Sequence, residues 1–160
     1  SISGSDNNAI TIPTNPTPII PTPTPNLLNL ASINSIASKN ISYVGDAISY
    51  ATIVSNVGNV PLGTYDVPVT VFTELSPSVS FIPGSLSINN VPVNCVNPSQ
   101  INLGILQPGD VRIITYSVRV NNACPDIVYN IQKLLYGYDP LYIGTSTFSV
   151  NGNIVMTYIN

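Results

Sequence analysis

The sequence predicts an all-β domain, a sandwich or a barrel, carried behind an extended arm. Three observations predict it. Period-2 alternation rich in β-branched and aromatic residues recurs after residue 46. Turn signals punctuate those runs about every 8–12 residues. Helical spacing is nearly absent.

The strands follow in order. "AISYATIVSN" (47–56) sets Ile48, Tyr50, Thr52 and Val54 on one face. "VPVTVFT" (67–73) does the same with Val67, Val69 and Val71. "VRIITYSVRV" (111–120) aligns Ile114, Tyr116, Val118 and Val120. In "IVYNIQKLLYGY" (127–138), Ile127, Ile131, Leu134 and Leu135 have helical spacing, but Ile127, Tyr129, Ile131, Lys133 and Leu135 also alternate. Val, Ile and Tyr favour a pleated surface, which predicts a strand there. "NLLNLASI" (26–33) reads as a first strand. "NIVMTYIN" (153–160) reads as a last strand, with Ile154, Met156 and Tyr158 on one face and Val155 and Ile159 on the other. A strand apolar on both faces needs cover on both. Turns are expected at "NVGN" (56–59), "IPGS" (82–85), "INN" (88–90), "VNPS" (96–99), "QPGD" (107–110), "GYDP" (137–140) and "NGN" (151–153), where Gly, Pro and Asn supply turn dihedrals.

The 160 residues divide into an arm, 1–25, and one domain, 26–160. Apolar residues make up 44%, enough for a core, and no apolar run approaches the length of a membrane span. Charged residues are 7%, against about 25% in ordinary domains. The four cations, Lys39, Arg112, Arg119 and Lys133, form no cluster. That argues against nucleic acid and against an anionic membrane surface. A polar surface made of Asn, Ser and Thr repels its own copies weakly and so permits association; it equally suits a secreted module with a neutral surface. The opening "SISGSDNN" lacks the basic and apolar regions of a secretory leader.

Catalysis finds little to work with. There is no His, and the seven carboxylates are scattered, so no base stands ready for a nucleophile. No cofactor or metal is expected. Asp46, Asp66, Asp110, Asp126 and Asp139 sit in or near turns, where Asp ordinarily bonds its own backbone. Cys95 and Cys124 lie outside any CxxC pair, and without His they do not suggest zinc. They are candidates for a disulfide, within or between subunits, with two unpaired thiols as the alternative. Lys39 opens the domain and Asn151, Asn153 and Asn160 close it, which leaves room for a Lys–Asn cross-link; a solvated edge lysine is the simpler reading. "NIS" (40–42) fits a glycosylation acceptor. Tyr136, Tyr138 and Tyr142 cluster around "GYDP" and read as core edge or interface.

The arm is built differently. Between Pro13 and Pro25 it holds six prolines and four threonines. Such alternation favours polyproline II, reaching about 40 Å over that stretch at about 3.1 Å per residue. Before it, "NNAITI" (7–12) has a strand's composition, and Ile19 and Ile20 interrupt the spacer as apolar anchors. Tip, spacer and domain together predict that Ala9, Ile10, Thr11 and Ile12, with Ile19 and Ile20, form a subunit interface by adding a strand to a neighbour's sheet edge.

The region from about Lys39 onward resembles the DUF11 repeat of bacterial and archaeal cell-surface proteins. "VGDAISYATIVSNVGN" (44–59) is similar to its opening signature. "FIPGSLSINN" (81–90) resembles its central Phe-x-Pro-Gly-Ser segment, and "INLGILQPGD" (101–110) its Leu-Gly-x-Leu-x-Pro-Gly turn. Asn130 stands where the family often has Asn. The family's usual Asp before the central motif is absent, with Glu74 nearby, and a single copy is present. The resemblance implies an Ig-like β-sandwich working outside the cell as a spacer or assembly unit, with no catalytic residues. The expected function is therefore a non-enzymatic structural subunit that polymerises head-to-tail with itself into a pilus or spore-appendage type of fibre. Its place is the cell or spore surface. The alternative is a monomeric adhesive or ligand-binding module using loops at one end of the sandwich.

Overall fold

The computed structural model describes residues 26–94 and 97–160. Twelve strands follow in chain order: β1 (Ala31–Ala37), β2 (Ile41–Ser42), β3 (Ala47–Asn56), β4 (Val69–Leu75), β5 (Val79–Phe81), β6 (Ser87–Ile88), β7 (Val91–Pro92), β8 (Gln100–Gly104), β9 (Val111–Val120), β10 (Ile127–Tyr138), β11 (Ser146–Asn151) and β12 (Val155–Ile159). Every named element is a strand, so the chain is all-β.

The strands form two six-stranded sheets. One runs β1-β3-β9-β6-β7, with β5 also on β9; the other runs β2-β12-β10-β4-β8, with β11 also on β10. All pairings are antiparallel except β12 with β2. Packed face to face, the inner faces make one core, as a two-layer sandwich requires.

The longest alternating runs fold as their pattern dictates. In β3, Ile48, Tyr50, Thr52 and Val54 are buried; in β9, Ile114, Tyr116, Val118 and Val120 are buried. The two strands pair along most of their length, placing Tyr50 opposite Tyr116 with ring centroids 5.5 Å apart. Each fully buried aliphatic chain contributes about 1.5–3 kcal/mol. The hairpin between β6 and β7 turns on Asn89 and Asn90, both at positive φ, the geometry a two-residue hairpin favours. In the "QPGD" turn, the Asp110 amide closes on the Gln107 carbonyl at 2.9 Å.

Several expectations are corrected. Residues 26–30 are not strand; the first strand begins at Ala31. Their backbone pairs with the 56–59 loop: Asn59 N donates to the Leu28 carbonyl at 3.0 Å, and Val57 N to the Leu30 carbonyl at 3.0 Å. The strand expected over 67–73 runs from Val69 to Leu75, because the Val67 carbonyl is taken by the Thr64 and Gly137 amides in a turn. Gly137 and Tyr138 belong to β10 rather than to a turn. On β10 the core face is Val128, Asn130, Gln132, Leu134 and Tyr136, the set that carries two amides. The last strand buries Thr157 and Ile159, while Ile154, Met156 and Tyr158 stay about half exposed, so its outer face has no cover within the described residues.

Candidate functional site

The sheet edges differ in how they are closed. The free edge of β1 is covered at Ser35 by a side chain: Ser35 N donates to Asn153 Oδ1 at 2.8 Å, and Asn153 Nδ2 donates to the Ser35 carbonyl at 2.8 Å. β12 is flanked by β2, and β11 lies beside β1. β5 and β7 have three and two residues. Among the described residues β8 pairs with β4 alone, and it holds Gln100, Ile101, Asn102, Leu103 and Gly104, with no charge and no proline. Thr73 N bonds the Ser99 carbonyl, which fixes the alternation of the ladder. The amides and carbonyls of Gln100 and Asn102 then point away from β4. An uncharged edge with unpaired backbone groups is a template for another strand. Ile101 and Leu103 face the core, at 5% and 8% exposure, so the edge is anchored.

A cleft of about 580 Å³ opens at one end of the sandwich. Leu27, Pro61, Tyr65, Ile105, Leu141 and Tyr142 supply its apolar lining, with Asp66 and Gln107 among its polar groups. Its walls are braced by backbone bonds, Gly63 N to the Gly137 carbonyl at 2.8 Å and Gly137 N to the Val67 carbonyl at 2.9 Å. Gly137 is needed there, since a Cβ would lie 2.8 Å from Thr64 Oγ1 and 2.9 Å from Val67 Cβ. Asp139 Oδ1 accepts the Ile143 and Gly144 amides at 3.0 and 3.3 Å. That turn holds Tyr142 at φ 55°, an uncommon conformation for a non-glycine residue, with its ring in solvent. Tyr65 is 95% and Tyr142 93% exposed.

Between the sheets lies a polar seam. Gln132 Oε1 accepts from Ser35 Oγ and from Thr52 Oγ1, both at 2.6 Å, and Gln132 Nε2 donates to Thr73 Oγ1 at 3.1 Å. The Tyr116 hydroxyl donates to Asn130 Oδ1. Among the described residues, the buried Tyr50 hydroxyl and Asn130 Nδ2 have no hydrogen-bond partner. Burial pushes the Tyr50 hydroxyl up to about 12, and burial with Tyr50 alongside pushes Tyr116 up as well. The seam joins β1, β3, β4, β9 and β10, and no nucleophile with a base is part of it.

The remaining candidates fall as follows. Ala9, Ile10, Thr11, Ile12, Ile19 and Ile20 lie outside the described residues, as does Cys95, and with it any bridge to the exposed Cys124. Asp46 and Asp110 bond nearby backbone, Asp46 Oδ2 from Tyr43 N at 3.1 Å and Asp110 Oδ2 from Gln107 N at 2.9 Å. The Ser42 hydroxyl and Tyr43 amide, with Lys39 nearby, hold the Asp46 carboxyl below its usual range. Lys39 Nζ lies 3.4 Å from Asp46, while the Asn153 amide is engaged with Ser35 on β1. Ser42 of the "NIS" acceptor is fully buried and donates to Asp46 at 3.0 Å. Tyr136 is buried and its hydroxyl donates to Asn29 at 2.7 Å; Tyr142 lines the cleft. Among the described residues no group of three or more His, Cys, Asp or Glu could hold a metal. Among them, too, no helix is long and apolar enough to cross a membrane.

Sequence reasoning missed two features. The β8 edge was hidden in a segment read for its turn, though Ile101 and Leu103 alternate. The cleft joins Tyr65 to Tyr142 through tertiary bonds that no local pattern announces.

Among the described residues, these features define a two-layer, mostly antiparallel β-sandwich with an open edge at β8 and a cleft at one end. No family model matches the chain. No curated protein matches it either. Among solved structures, it is similar to Spo0M, a sporulation control protein of Bacillus subtilis, at 10% identity and a TM-score of 0.41, over 81% of this chain and 49% of that one. The chain thus spans about half the length of that structure, and a likeness so distant carries no argument about function.

Proposed function

We propose that the chain is a non-enzymatic structural subunit that polymerises with itself into an extracellular fibre of pilus or spore-appendage type. The observation that carries the reading is the uncharged edge of β8, open among the described residues. Residues 7–12 of one copy add to the β8 edge of the next, and residues 13–25 span the gap. Main-chain hydrogen bonds supply the affinity, with Ile10 and Ile12 on one face of the donated strand. Donor and acceptor are different surfaces of one chain, so the contact is head-to-tail and builds a filament where it does not close into a ring. The sparse charge supports it, because little repulsion opposes stacking of copies. The resemblance to the DUF11 repeat supports the extracellular setting.

The test removes residues 1–25. The shortened chain is expected to sediment as a folded monomer, while the full chain forms fibres visible in negative stain. Fibres of normal yield from the shortened chain would sink the reading.

A second reading has its own observation, the cleft with Tyr65 and Tyr142. In that reading the full chain stays monomeric at 17.0 kDa and binds a ligand at this end of the sandwich.

A further inference from the structure

The cleft lies where the described chain begins. The Asn26 carbonyl accepts from Asn59 Nδ2 at 2.7 Å, Leu28 N donates to Asn59 Oδ1 at 2.7 Å, and Leu27, between them, lines the cleft. Pro25 is therefore two residues along the chain from a lining side chain. The preceding residues are "IIPTPTP" (19–25), in which every second residue from Pro21 is proline.

We propose that this cleft seats the root of the chain's own arm, residues 19–25, as a polyproline II segment stacked on Tyr65 and Tyr142. Grooves that recognise such segments are lined by aromatic rings, which pack on the flat faces of prolines. Here two tyrosine rings stand in solvent beside Pro61, Ile105 and Leu141. Hydrogen-bond capacity also matches. Pro21, Pro23 and Pro25 lack an N–H but keep their carbonyls, which accept, and a tyrosine hydroxyl donates. The threonine hydroxyls find acceptors in Asp66 and Gln107. The segment carries no charge, so nothing must be neutralised against the acidic side chains of the cleft. Seven residues extend about 22 Å at about 3.1 Å each. The tether makes docking intramolecular, at an effective concentration in the millimolar range.

Seating the root fixes the direction in which the tip leaves the domain. The inference goes beyond the proposed function without depending on it, and the experiment separates the two. Solution NMR is done on the full chain carrying Ile10→Lys and Ile12→Lys, which disables strand donation. The expected result is nuclear Overhauser contacts between the rings of Tyr65 or Tyr142 and the ring protons of Pro21, Pro23 or Pro25. Thr22 and Thr24 amides should be as rigid as those of β3. Adding Tyr65→Ser and Tyr142→Ser should free those two amides while β3 and β9 keep their shifts, because both rings are over nine-tenths exposed and support no core. Absent ring–proline contacts, with Thr22 and Thr24 equally mobile in both chains, would overturn the seat. Contacts found only between differently labelled copies would overturn the own-chain assignment. Wild-type fibres without ring–proline contacts leave the fibre reading intact, and contacts without wild-type fibres do the reverse.

Discussion

Asn153 closes the edge of β1 by pairing with Ser35 as a strand would, giving and taking one hydrogen bond at 2.8 Å each. A side-chain amide has the donor and acceptor of a peptide group, so one residue can blunt an edge. Ser35 is buried, and without Asn153 its backbone groups lose their partners. Asn153→Ala is expected to cost about 1–3 kcal/mol in urea denaturation and to promote side-by-side association. Asn153→Asp should also destabilise, since a carboxylate would face the Ser35 carbonyl, but its charge should prevent the association. Equal association in both variants would refute the edge-blocking role.

Tyr50 and Tyr116 pack with tilted rings in the same core, yet their hydroxyls differ. Tyr116 donates to Asn130, whereas the Tyr50 hydroxyl has no partner among the described residues. Tyr116→Phe should cost about 1–3 kcal/mol, since it strips a buried amide of its donor. Tyr50→Phe should leave stability unchanged or raise it, because it removes a desolvated hydroxyl. Denaturant midpoints decide the matter; a loss in Tyr50→Phe equal to that in Tyr116→Phe would contradict it.

The same two tyrosines predict the alkaline limit. An unfolded tyrosine titrates near about 10. Burial holds Tyr50 in its neutral form to about 12, and Tyr116 is raised by the same cause. Below about pH 10 both states keep their protons and the stability is fully present. Between about pH 10 and 12 the unfolded chain releases protons that the folded chain retains. Stability then falls by about 1.4 kcal/mol per pH unit for each tyrosine. Urea midpoints at pH 8 and 9 should agree, those at pH 10.5 and 11 should fall, and Tyr50→Phe should soften the fall. A flat profile to pH 11.5 would rule the coupling out.

Gly58 fixes how residues 26–30 lie on the 56–59 loop. A Cβ there would sit 1.9 Å from the Leu28 carbonyl oxygen and 2.9 Å from Leu30 N, both backbone atoms. Gly58→Ala should lift residues 26–30 off the 56–59 loop, breaking the bonds of Asn59 to Asn26 and Leu28. Amide exchange of Leu28 and Asn59 should accelerate by about tenfold or more, with β9 amides unchanged. Unchanged exchange at Leu28 would show that residues 26–30 are held elsewhere.

What could be read in advance depended on the range of the forces involved. β3 and β9 alternate strictly over ten residues each, so local pattern and tertiary burial agree. Residues 26–30 read as the start of a first strand, but a side chain about thirty residues away, Asn59, bonds their backbone. In the 127–138 segment Ile127, Tyr129, Ile131, Lys133 and Leu135 alternate, which leaves Asn130 and Gln132 in the other set. They are buried because Tyr116, Ser35, Thr52 and Thr73 arrive from other strands to bond them. β8 shows only two inward residues, Ile101 and Leu103, too few for a period to declare itself.

The β8 edge yields the sharpest test of assembly. Gln100 is the first residue of β8, exposed, and opposite Phe72 at a position whose amide points away from β4. Proline there removes no bond from the β4–β8 ladder, and strands tolerate proline at their first residue. It does remove a donor that an incoming strand would use, and its ring occupies the approach. Gln100→Pro is therefore expected to keep monomer stability within about 0.5 kcal/mol of wild type while abolishing fibres. Asn102→Lys, which puts a charge on the same edge, should shorten them. Both are read by denaturation alongside negative-stain images. Fibres of wild-type length and yield from Gln100→Pro, at unchanged stability, would exclude β8 as the acceptor and move the contact to another surface, the exposed Ile154, Met156 and Tyr158 face of β12 being the next to mutate.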